Sequence, residues 1–374
     1  MSETLFDFAV IGAGIAGASI AAELAPNAKV LVLEAEDAPG YHTTGRSAAF
    51  WEECYGGTGV VPLTLSSGAY LREGGFLSPR GALYIGRAQD HAEMDAFLRR
   101  FAGTGATLER LTTGQLAARM PNIRPEWCDA IHEPACADID VASLHQHYLK
   151  AMKGAGAKIA CRARVCDITY DAGLWQLTTC TGQSFKAAQL VNAAGAWADE
   201  VAAMAGIRAI GIEPMRRTVA QLRVTPAVPD DMPLVLDIAG SFYFKPDNGR
   251  LWLSPHDEIP SLPCDAAPEE IDVARAIARF EDVTNWRIEA VERRWAGLRS
   301  FAPDRLPVFG PDTERAGFHW FAGQGGFGIQ TAPAAARLGA QVILGLDADA
   351  MTQGIDRARY SPSRFSEQEE RLVG

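Results

Sequence analysis

The chain has 374 residues, 48% of them hydrophobic, and its 46 acidic residues outnumber the 35 basic ones to give a formal net charge of −11. This composition predicts a globular protein of about two domains, and the negative charge argues against nucleic acid or an anionic membrane surface as the main partner. Because no apolar run reaches the roughly 18 residues of a membrane span and residues 1–4 carry no basic group, we expect neither a transmembrane segment nor a secretory or transit leader.

The first predicted element is a strand that leads through a glycine turn into a helix. The apolar residues 8–11 precede Gly12-Ala13-Gly14-Ile15-Ala16-Gly17, and residues 18–24 continue as a helix. Gly12 permits a tight turn, Gly14 lets backbone N–H groups approach a pyrophosphate, and Gly17 lets the helix pack against the strand. The pattern predicts a dinucleotide site. The alternative is a glycine-rich turn without a ligand.

The second predicted strand supports the dinucleotide interpretation. Residues 30–33 are apolar and lead into Glu34, twenty-two residues after Gly12. This is about the offset of the acid that binds a ribose hydroxyl in such sites. A carboxylate at that position would reject a 2′-phosphate.

An irregular stretch, residues 37–47, follows instead of another βα unit and is rich in turn formers and hydroxyl groups. Such a loop can lay Thr43, Thr44 and Ser47 along a pyrophosphate and a flavin ring, with Arg46 as a fixed positive charge. The stretch therefore favours FAD over NAD. The alternative is a solvated surface loop with one arginine.

Aromatic side chains follow directly after this loop. Phe50, Trp51 and Tyr55 could line a substrate pocket, although core packing explains Phe50 and Trp51 equally well. Further along the chain, the patterns predict a helix over residues 61–73, a short strand over 82–86 and two helices over 89–120.

Residues 138–198 are predicted to return to the nucleotide region. Asp140 is expected to cap a helix that runs to about residue 154. A meander is predicted at 158–169 and 173–178, and residues 190–198 form a strand that turns through small residues into a helix.

Residues 209–300 contain several short alternating strands, at 217–224, 234–237, 242–245 and 251–253, which indicate an antiparallel sheet interrupted by one helix at about 268–281. Residues 296–301 and the glycine-rich turn at 323–330 then bring the chain back to the nucleotide region. That turn is expected to start a helix to about residue 344, whose positive end suits the flavin edge where negative charge collects on reduction.

The cysteines indicate the cellular compartment of the protein and give no sign of a metal site. Seven of them are scattered along the chain without a Cys-x-x-Cys pair, and Cys161 and Cys166 are the nearest two. An odd number without metal-ligand spacing is typical of reduced thiols in a cytoplasmic protein. We therefore expect a cytoplasmic location, no zinc or iron–sulfur site and no other metal, while peripheral contact with a membrane stays open.

Six motifs, spread nearly end to end, carry a resemblance to a known family. They are Gly12-x-Gly14-x-x-Gly17, Gly40-Tyr41-His42-Thr43-Thr44-Gly45-Arg46-Ser47-Ala48-Ala49, Asp138-Ile139-Asp140, Asn192-Ala193-Ala194-Gly195-Ala196-Trp197, Trp295-Ala296-Gly297-Leu298-Arg299 and Gln324-Gly325-Gly326-Phe327-Gly328-Ile329-Gln330. This set resembles the D-amino-acid oxidase superfamily of FAD-dependent oxidoreductases, and within it the bacterial FAD-dependent D-arginine and D-amino-acid dehydrogenases.

The resemblance implies an α/β fold with two domains. A Rossmann-like FAD-binding domain would be discontinuous, made of residues 1–80, 138–208 and 300–374. A substrate-binding domain of the α+β kind, built on an antiparallel sheet, would comprise residues 81–137 and 209–299.

The resemblance also implies the residues around each ligand. Those around a non-covalently bound FAD are Gly12, Gly14, Ala16, Gly17, Glu34, Ala35, Thr43, Thr44, Gly45, Arg46, Ser47, Ala48, Ala49, Val165, Gly195, Gly325, Gly326, Phe327, Gly328, Ile329 and Gln330. Those around the substrate carboxylate and the reacting carbon are Arg217, Arg299, Tyr55, Tyr243 and Gly326. The two arginines would clamp the carboxylate and the two tyrosines would donate as neutral groups.

Two positions of the substrate pocket depart from the D-arginine dehydrogenases. A histidine of those enzymes falls on Phe50, and the glutamate that pairs with a basic substrate side chain falls on Ala82. We therefore expect neutral or apolar substrates, with room for them at Ala82, and expect Ala82→Glu to shift the preference back toward basic ones. Arg216, beside Arg217, is expected to point to the opposite face of the strand as a surface charge.

The reaction implied is oxidative deamination of a D-amino acid to a 2-oxo acid, with hydride transfer from Cα to flavin N5. Quinone and oxygen both stay open as the electron acceptor. One alternative is an enzyme of the same fold that oxidises a 2-hydroxy acid or an N-methyl amino acid, as sarcosine and glycine oxidases do. The other is a flavoprotein assembly factor without turnover.

Overall fold

Strands make up much of the chain. The structure, a computed structural model, describes residues 5–365, so residues 1–4, from which the absence of a leader was predicted, lie outside the described residues. In chain order the strands are β1 (Leu5–Ile11), β2 (Val30–Leu33), β3 (Phe50–Trp51), β4 (Leu77–Pro79), β5 (Ala82–Arg87), β6 (Glu109–Leu111), β7 (Trp127–Glu133), β8 (Ala137–Ile139), β9 (Lys158–Ala160), β10 (Val165–Asp171), β11 (Leu174–Thr179), β12 (Ser184–Asn192), β13 (Glu213–Thr225), β14 (Leu234–Asp237), β15 (Tyr243–Asp247), β16 (Arg250–Ser254), β17 (Ile259–Pro260), β18 (Arg287–Phe301), β19 (Val308–Pro311), β20 (Phe318–Ala322) and β21 (Gln324–Gly325).

The helices lie between these strands. They are α1 (Ile15–Leu24), α2 (Val61–Glu73), α3 (His91–Phe101), α4 (Thr113–Arg119), α5 (Val141–Gly154), α6 (Ala198–Met204), α7 (Glu270–Val283) and α8 (Ala332–Leu344). Short 3₁₀ turns occur at Thr43–Arg46, Ala88–Asp90, Gly195–Trp197 and Arg357–Tyr360. Within residues 5–365 no helix is both long and apolar enough to cross a membrane.

A mainly parallel sheet forms the nucleotide region. Its central strands β20, β12, β1, β2 and β9 run parallel, and the β10–β11 hairpin extends the sheet from the first half of β12. The apolar faces of α1, α5 and α8 pack together on one side, and α6 packs on the other side. Parallel strands covered on both faces are apolar throughout, which explains the continuous apolar runs of β1 and β2.

The glycine turn after β1 has the geometry that its residues require. Gly12 has a φ of +99°, which favours glycine, and a Cβ there would lie 2.5 Å from the carbonyl oxygen of Ala193. A Cβ at Gly17 would lie 1.8 Å from the carbonyl oxygen of Gly12. Both glycines therefore allow α1 to start close to the ends of β1 and β12.

A second, ten-stranded sheet carries the other half of the molecule. Its order is β21-β18-β13-β16-β15-β14-β5-β7-β6 with β17 beside β13, and it is antiparallel except for the β14–β5 pair. Helix α7 packs on one face of this sheet, where Phe280 lies in the same core as Phe244. The opposite face is turned toward the nucleotide region and bears the side chains that were expected to bind substrate.

The longest strand differs from its prediction. Sequence patterns indicated an element only at residues 296–301, whereas β18 spans Arg287–Phe301. The first half of β18 is largely exposed and carries charged residues on both faces, so its period-2 apolar signal is lost. Ion pairs such as that between Glu292 and Arg250 of β16 lie along this half.

The cysteine prediction was wrong for one pair. Cys166 and Cys180 form a disulfide, with their Cα atoms 5.3 Å apart. The hairpin turn at Ala172 and Gly173, both with positive φ, brings β10 back along β11 and so sets the two residues side by side. Spacing along the chain does not reveal this proximity. The other five cysteines are free thiols.

Candidate active site

A deep cleft opens where the parallel strands end. Gly12 follows β1, Glu34 follows β2, Ala193 follows β12 and Gly323 follows β20, and all four residues line the cleft. The cleft encloses about 1660 Å³ of space between protein atoms, its mouth included. In α/β sheets ligands bind outside the carboxyl ends of the strands, so this is the expected place for a nucleotide.

The outer end of the cleft is organised by Glu34. Its side chain is buried, and its carboxylate accepts the backbone N–H groups of Ala13 at 2.8 Å and of Glu36 at 2.9 Å. These two bonds fix the carboxylate beside the glycine turn. Next to it, Thr44 Oγ1 accepts the N–H of Ile15 at 2.9 Å, and a Cβ at Gly14 would lie 3.1 Å from that oxygen. The residues from Gly14 to Ala16 at the start of α1 line the cleft, and the lack of a side chain at Gly14 leaves the backbone accessible there, which fits a bound dinucleotide.

The guanidinium of Arg46 is held in place by partners within the protein. It forms an ion pair with Asp265 and donates to the carbonyl oxygens of Ala266 at 2.9 Å and Ala296 at 3.2 Å. The Tyr41 hydroxyl donates to the same Asp265 carboxylate at 3.0 Å. Arg46 lines the cleft, but its charge is compensated by Asp265. These contacts hold the segment before α7 against the loop and fix the position of the guanidinium, and its contact with a pyrophosphate stays a prediction.

The inner end of the cleft gathers three of the predicted substrate residues. Met215 of β13 stands opposite Arg299 of β18, and Arg217 stands opposite Gly297, so the two arginines lie on one face as diagonal neighbours. Tyr243 projects from the same face through β15. All three side chains line the cleft. The alternation of three strands thus brings together residues that are far apart in sequence.

Arg217 is held rigidly with part of its guanidinium unused. The side chain is 4% exposed, its Nε donates to the carbonyl oxygen of Asp257 at 2.6 Å, and its Nη2 lies 3.3 Å from Glu258. Nη1 is buried without a hydrogen-bond partner in the structure, as is the hydroxyl of Tyr243. Buried donors are almost always paired, so these two groups indicate a ligand that accepts hydrogen bonds.

The inner end is strongly electropositive. Burial and the neighbouring charge of Arg299 lower the pKa of Arg217 to about 10, so the guanidinium is still charged at neutral pH. Burial and the two arginines lower the pKa of His256 to about 3, so its ring is neutral. Within residues 5–365 the guanidinium of Arg299 has no ion-pair partner. An anionic group fits this position.

His256 is a neighbour of the clamp that sequence reasoning missed. Its Nδ1 lies 2.8 Å from the carbonyl oxygen of Gly240, and its ring stands edge-on to that of Tyr243 at 5.6 Å. The residue has a φ of +54°, an uncommon conformation outside glycine that costs about 1–3 kcal/mol. No motif marks it, because its position depends on the turn after β16.

Tyr55 and Gly326 complete the inner end. The Arg299 guanidinium lies over the Tyr55 ring at 5.5 Å, and burial raises the pKa of the Tyr55 hydroxyl. A Cβ at Gly326 would lie 1.9 Å from Tyr55 Oη and 2.8 Å from Arg299 Nε. Only glycine leaves both side chains in place. Tyr55 stands directly behind the cleft wall rather than in it.

Phe50 and Ala82 do not line the cleft. The Phe50 ring packs edge-on to Tyr243 at 5.6 Å, as part of the wall behind it. Ala82 lies on the same sheet face but is fully buried in a cluster with Cys54, Tyr84 and Tyr243.

The expected space at Ala82 is therefore filled, and this part of the prediction was wrong. In the register Ala82 stands opposite Glu133. A glutamate at position 82 would add a second buried acid beside Glu133, so the expected Ala82→Glu change in specificity is not supported.

Most of the predicted cofactor residues lie along the cleft. Those that line it are Gly12, Gly14, Ala16, Glu34, Ala35, Thr43, Thr44, Arg46, Ser47, Ala48, Val165, Gly195, Gly325, Gly326, Gly328 and Ile329. Those that stand behind the lining are Gly17, Gly45, Ala49, Phe327 and Gln330. Trp197 and Gln324, which belong to the motifs, and Arg164, which adjoins Val165, also line the cleft although they were not assigned a role.

Arg216 also differs from its prediction. It does point away from the clamp, but it forms an ion pair with Glu269 and donates to the buried Asp272 at 2.9 Å, and its side chain is only 14% exposed. It therefore fastens α7 to the sheet and is not a free surface charge.

Comparisons with known proteins agree with the fold and the cleft. The model of the FAD dependent oxidoreductase family, DAO, matches residues 7–342. Glycine oxidase of Geobacillus kaustophilus is 26% identical over 356 residues, which cover 90% of this chain and 93% of that enzyme. L-2-hydroxyglutarate dehydrogenase of Salmonella houtenae is 26% identical over 220 residues, 54% of this chain and 50% of its own. The crystal structure of L-proline dehydrogenase from P.horikoshii superposes with a TM-score of 0.84 at 23% identity, covering 98% and 99% of the two chains.

The family match extends over both sheets, and the two glycine-rich turns and the cleft between them lie inside it. The geometry of the outer end fits a dinucleotide, and the inner end fits an anion. The chain therefore belongs to the DAO family of FAD-dependent oxidoreductases.

Proposed function

We propose that this oxidoreductase deaminates D-amino acids with neutral or apolar side chains to 2-oxo acids. The observation that carries the proposal is a pair of buried donors, Arg217 Nη1 and Tyr243 Oη, that find no partner among residues 5–365 and lie beside Arg299 at the inner end of the cleft. A planar carboxylate satisfies all three groups, and two oxygens on one carbon match the fork of a guanidinium. Every α-amino acid presents such a carboxylate next to the reacting carbon.

The cofactor and the substrate have separate places in the cleft. Glu34 and the start of α1 would hold the adenosine and pyrophosphate portions of FAD, and the loop from Gly325 to Ile329 would hold the ring end. When bound, FAD supplies the acceptor for the hydride that leaves the substrate. The chain supplies the position of that carbon through its carboxylate clamp.

The clamp residues are also held in place by their neighbours. Arg217 cannot swing, because Asp257 and Glu258 hold its other nitrogens. The Phe50 ring packs against Tyr55 and Tyr243. We propose no obligatory protein base, because an amine that has lost its proton drives hydride departure with its own lone pair.

The side-chain end of the pocket supports neutral substrates. Among the described residues the acids that line the cleft are Glu34, Glu36 and Glu200, which stand near β2 and α6 on the nucleotide side. A guanidinium or ammonium group buried near Phe50 and Tyr243 without a partner would cost several kcal/mol. An apolar side chain gains about 25 cal/mol for each Å² that it buries.

We further propose that the two sheets correspond to two functional units. Residues 81–137 and 209–299 would form the substrate-binding domain, since Arg217, Tyr243 and Arg299 lie on its strands. Residues 1–80, 138–208 and 300–374 would form the FAD-binding domain.

The substrate prediction is tested with the purified holoprotein and a panel of amino acids. We expect D-phenylalanine, D-methionine or D-leucine to have a higher kcat/KM than D-arginine or D-lysine, by about tenfold or more, because several kcal/mol of desolvation oppose the cations. Anaerobic bleaching of the flavin absorbance and steady-state kinetics measure this order. The L-enantiomers are the control for stereochemistry. D-Arginine as the preferred substrate would contradict the proposal.

A second candidate uses the same clamp. The match to an L-2-hydroxyglutarate dehydrogenase over about half of the chain favours testing 2-hydroxy acids, which carry the same carboxylate. Glycine and sarcosine belong in the panel because the chain also matches a glycine oxidase. Bleaching by one of these compounds and by no D-amino acid would replace the first proposal with the second. Reoxidation by oxygen or by a soluble quinone then identifies the class of electron acceptor.

Gly326→Ala provides an independent test of the clamp. Its Cβ must displace Tyr55 and Arg299, and a shift of about 1 Å at a reacting centre can cost about 100-fold in rate. We expect a fall of that order in kcat/KM with FAD still bound. Gly154→Ala, at the end of α5 with open space around its Cβ, is the matched control. Activity equal to that of the parent would remove Gly326 from the site.

A further inference from the structure

Behind the clamp lies a buried group of acids that the proposed reaction does not use. Glu52 is 2% exposed and Glu133 is fully buried, and both reach the hydroxyl of Tyr84, which is itself buried. Two carboxyl groups in one apolar pocket are costly unless they share charge or protons. We call the cluster of Glu52, Tyr84 and Glu133 the acid triad. Because its burial is costly, it is a candidate for a functional role.

The hydrogen bonds limit how many protons the triad holds. Tyr84 Oη contacts Glu52 Oε1 in a short hydrogen bond and lies 3.1 Å from Glu133 Oε2. A tyrosine hydroxyl has one proton and can donate to only one of the two oxygens. The second contact is a hydrogen bond only if that carboxyl group is protonated and donates to Tyr84. The geometry thus indicates one proton shared between two carboxyl groups.

The surroundings indicate which carboxyl carries the charge. The carboxylate of Glu52 is stabilised by the Tyr84 hydroxyl and by the positive charge of Arg299, which lower its pKa, although burial outweighs both and raises it to about 7. Burial and the Glu52 charge raise the pKa of Glu133 to about 8. Of the two carboxyl groups, Glu52 is the one whose ionised form the Arg299 charge stabilises, so we assign the shared proton mainly to Glu133.

Glu52 is also fixed relative to the cofactor loop. Its backbone N–H donates to Gln330 Oε1 at 3.2 Å, and its carbonyl oxygen accepts from Gln330 Nε2 at 3.1 Å. Its second carboxylate oxygen, Oε2, is buried without a hydrogen-bond partner in the structure. The backbone of Glu52 is thus tied to the cofactor loop, its Oε1 is held by Tyr84, and Oε2 can accept a proton.

We propose that Glu52 is a positioning residue that serves as the counter-charge of Arg299 and takes up a proton when a carboxylate binds to the clamp. A carboxylate that binds to the clamp forms an ion pair with Arg299. The ionised form of Glu52 then loses its stabilising partner and is repelled by the new anion. By reciprocity, protonation of Glu52 strengthens carboxylate binding. The inference rests on the proposed function only in taking the ligand to be a carboxylate.

The sign of the pH dependence follows from these charges. Carboxylate affinity is highest below the pKa of Glu52, where Arg299 has no competing anion, and it falls as pH rises through about 7. Other groups face the triad from the neighbouring elements. They are Glu53, Cys54 and Tyr55 of its own segment, Arg72 of α2, Cys136 after β7 and Arg299 of β18. Burial raises the pKa values of both thiols and of Tyr55, so none of these three ionises near neutral pH.

The test measures proton uptake with the holoprotein and benzoate, a carboxylate that cannot be oxidised at an α carbon. Calorimetry near pH 7 in two buffers of different ionisation enthalpy counts the protons, and titration of the flavin absorbance gives the affinity. We expect net uptake of a fraction of a proton, and about tenfold tighter binding near pH 6 than near pH 9, a typical size for coupled sites. Binding without proton uptake would overturn the inference and leave D-amino-acid oxidation standing.

Two isosteric variants distinguish the effect of the Glu52 charge from a structural effect of changing the acid triad. Glu52→Gln should abolish the uptake and bind benzoate at every pH about as tightly as the parent does near pH 6. Glu133→Gln is the matched control, because its amide can donate to Tyr84 as the protonated acid does, and it should keep the pH dependence. If the two variants had the same dependence of benzoate affinity on pH, Glu52 could not be the group that takes up the proton.

Tyr84→Phe provides a third readout if the glutamine variants fold poorly. The Tyr84 hydroxyl stabilises the ionised form of Glu52, so its loss should move the midpoint of the affinity profile to higher pH. An unchanged midpoint would contradict the triad. Proton-coupled benzoate binding in a protein that oxidises no D-amino acid would support this inference while refuting the proposed substrate.

Discussion

Arg299→Met is expected to weaken the binding of carboxylate ligands by about 2–5 kcal/mol, the range for removing one partner of a desolvated charge pair. Arg299 lines the inner end of the cleft, and no carboxylate among residues 5–365 forms an ion pair with it. Its charge is therefore available to a ligand once the buried Glu52, its proposed counter-charge, has taken up a proton. Titration of benzoate and of a reactive D-amino acid into the holoprotein measures the loss. FAD content should not change, because Glu34 and the start of α1 are untouched.

A control on the same strand separates this effect from general loss of charge. Arg294 of β18 has a half-exposed side chain that lies 3.5 Å from Glu270. Arg294→Met removes the same guanidinium from the same strand outside the cleft, and we expect it to bind carboxylates like the parent. If Arg299→Met also did so, Arg299 would have to be withdrawn from the clamp.

Glu34→Ala is expected to lower the affinity for FAD by about 2–3 kcal/mol, roughly the value of a hydrogen bond to a charged group. The carboxylate accepts the N–H of Ala13 in the glycine turn and lines the cleft, and we propose that it also binds a ribose hydroxyl, so its removal should affect both contacts. The parent should be yellow and should release intact FAD on acid denaturation. Fluorescence titration of each apoprotein with FAD gives the dissociation constants of the parent and of the Glu34→Ala variant.

Glu36→Ala is the matched control for that experiment. Glu36 also lines the cleft, but its carboxylate is engaged with the ring of His42 at 2.9 Å rather than with the glycine turn. We expect only a small change in FAD affinity. A colourless parent that FAD cannot reconstitute would refute the cofactor assignment, and an unchanged Glu34→Ala would refute the role of that residue.

Local patterns predicted the parts of the site that depend on neighbours in sequence. The turn from Gly12 to Gly17 and the acid at Glu34 follow from backbone geometry, which a short segment determines by itself. The resemblance supplied Arg217 and Arg299, and their placement on one face follows from the pairing of β13 with β18.

Partners that are distant in sequence were not predictable in this way. Asp265 compensates Arg46 from 219 residues away, and Cys180 meets Cys166 only after a hairpin forms. The space at Ala82 is closed by a buried cluster that includes Cys54 and Tyr243, which come from two other segments. Glu52 and Glu133 read as ordinary polar residues in the sequence, and only the folded chain buries them around one hydroxyl.

The short pairing between β18 and β21 has a consequence for how the enzyme can be altered. Ser300 pairs with Gly325 and Phe301 with Gln324, directly beside Arg299 and Gly326. The strand that carries Arg299 and the glycine-rich loop at the end of the cleft thus share one hydrogen-bonded ladder. A substitution that breaks this ladder is therefore expected to disturb carboxylate binding and the conformation of the loop together.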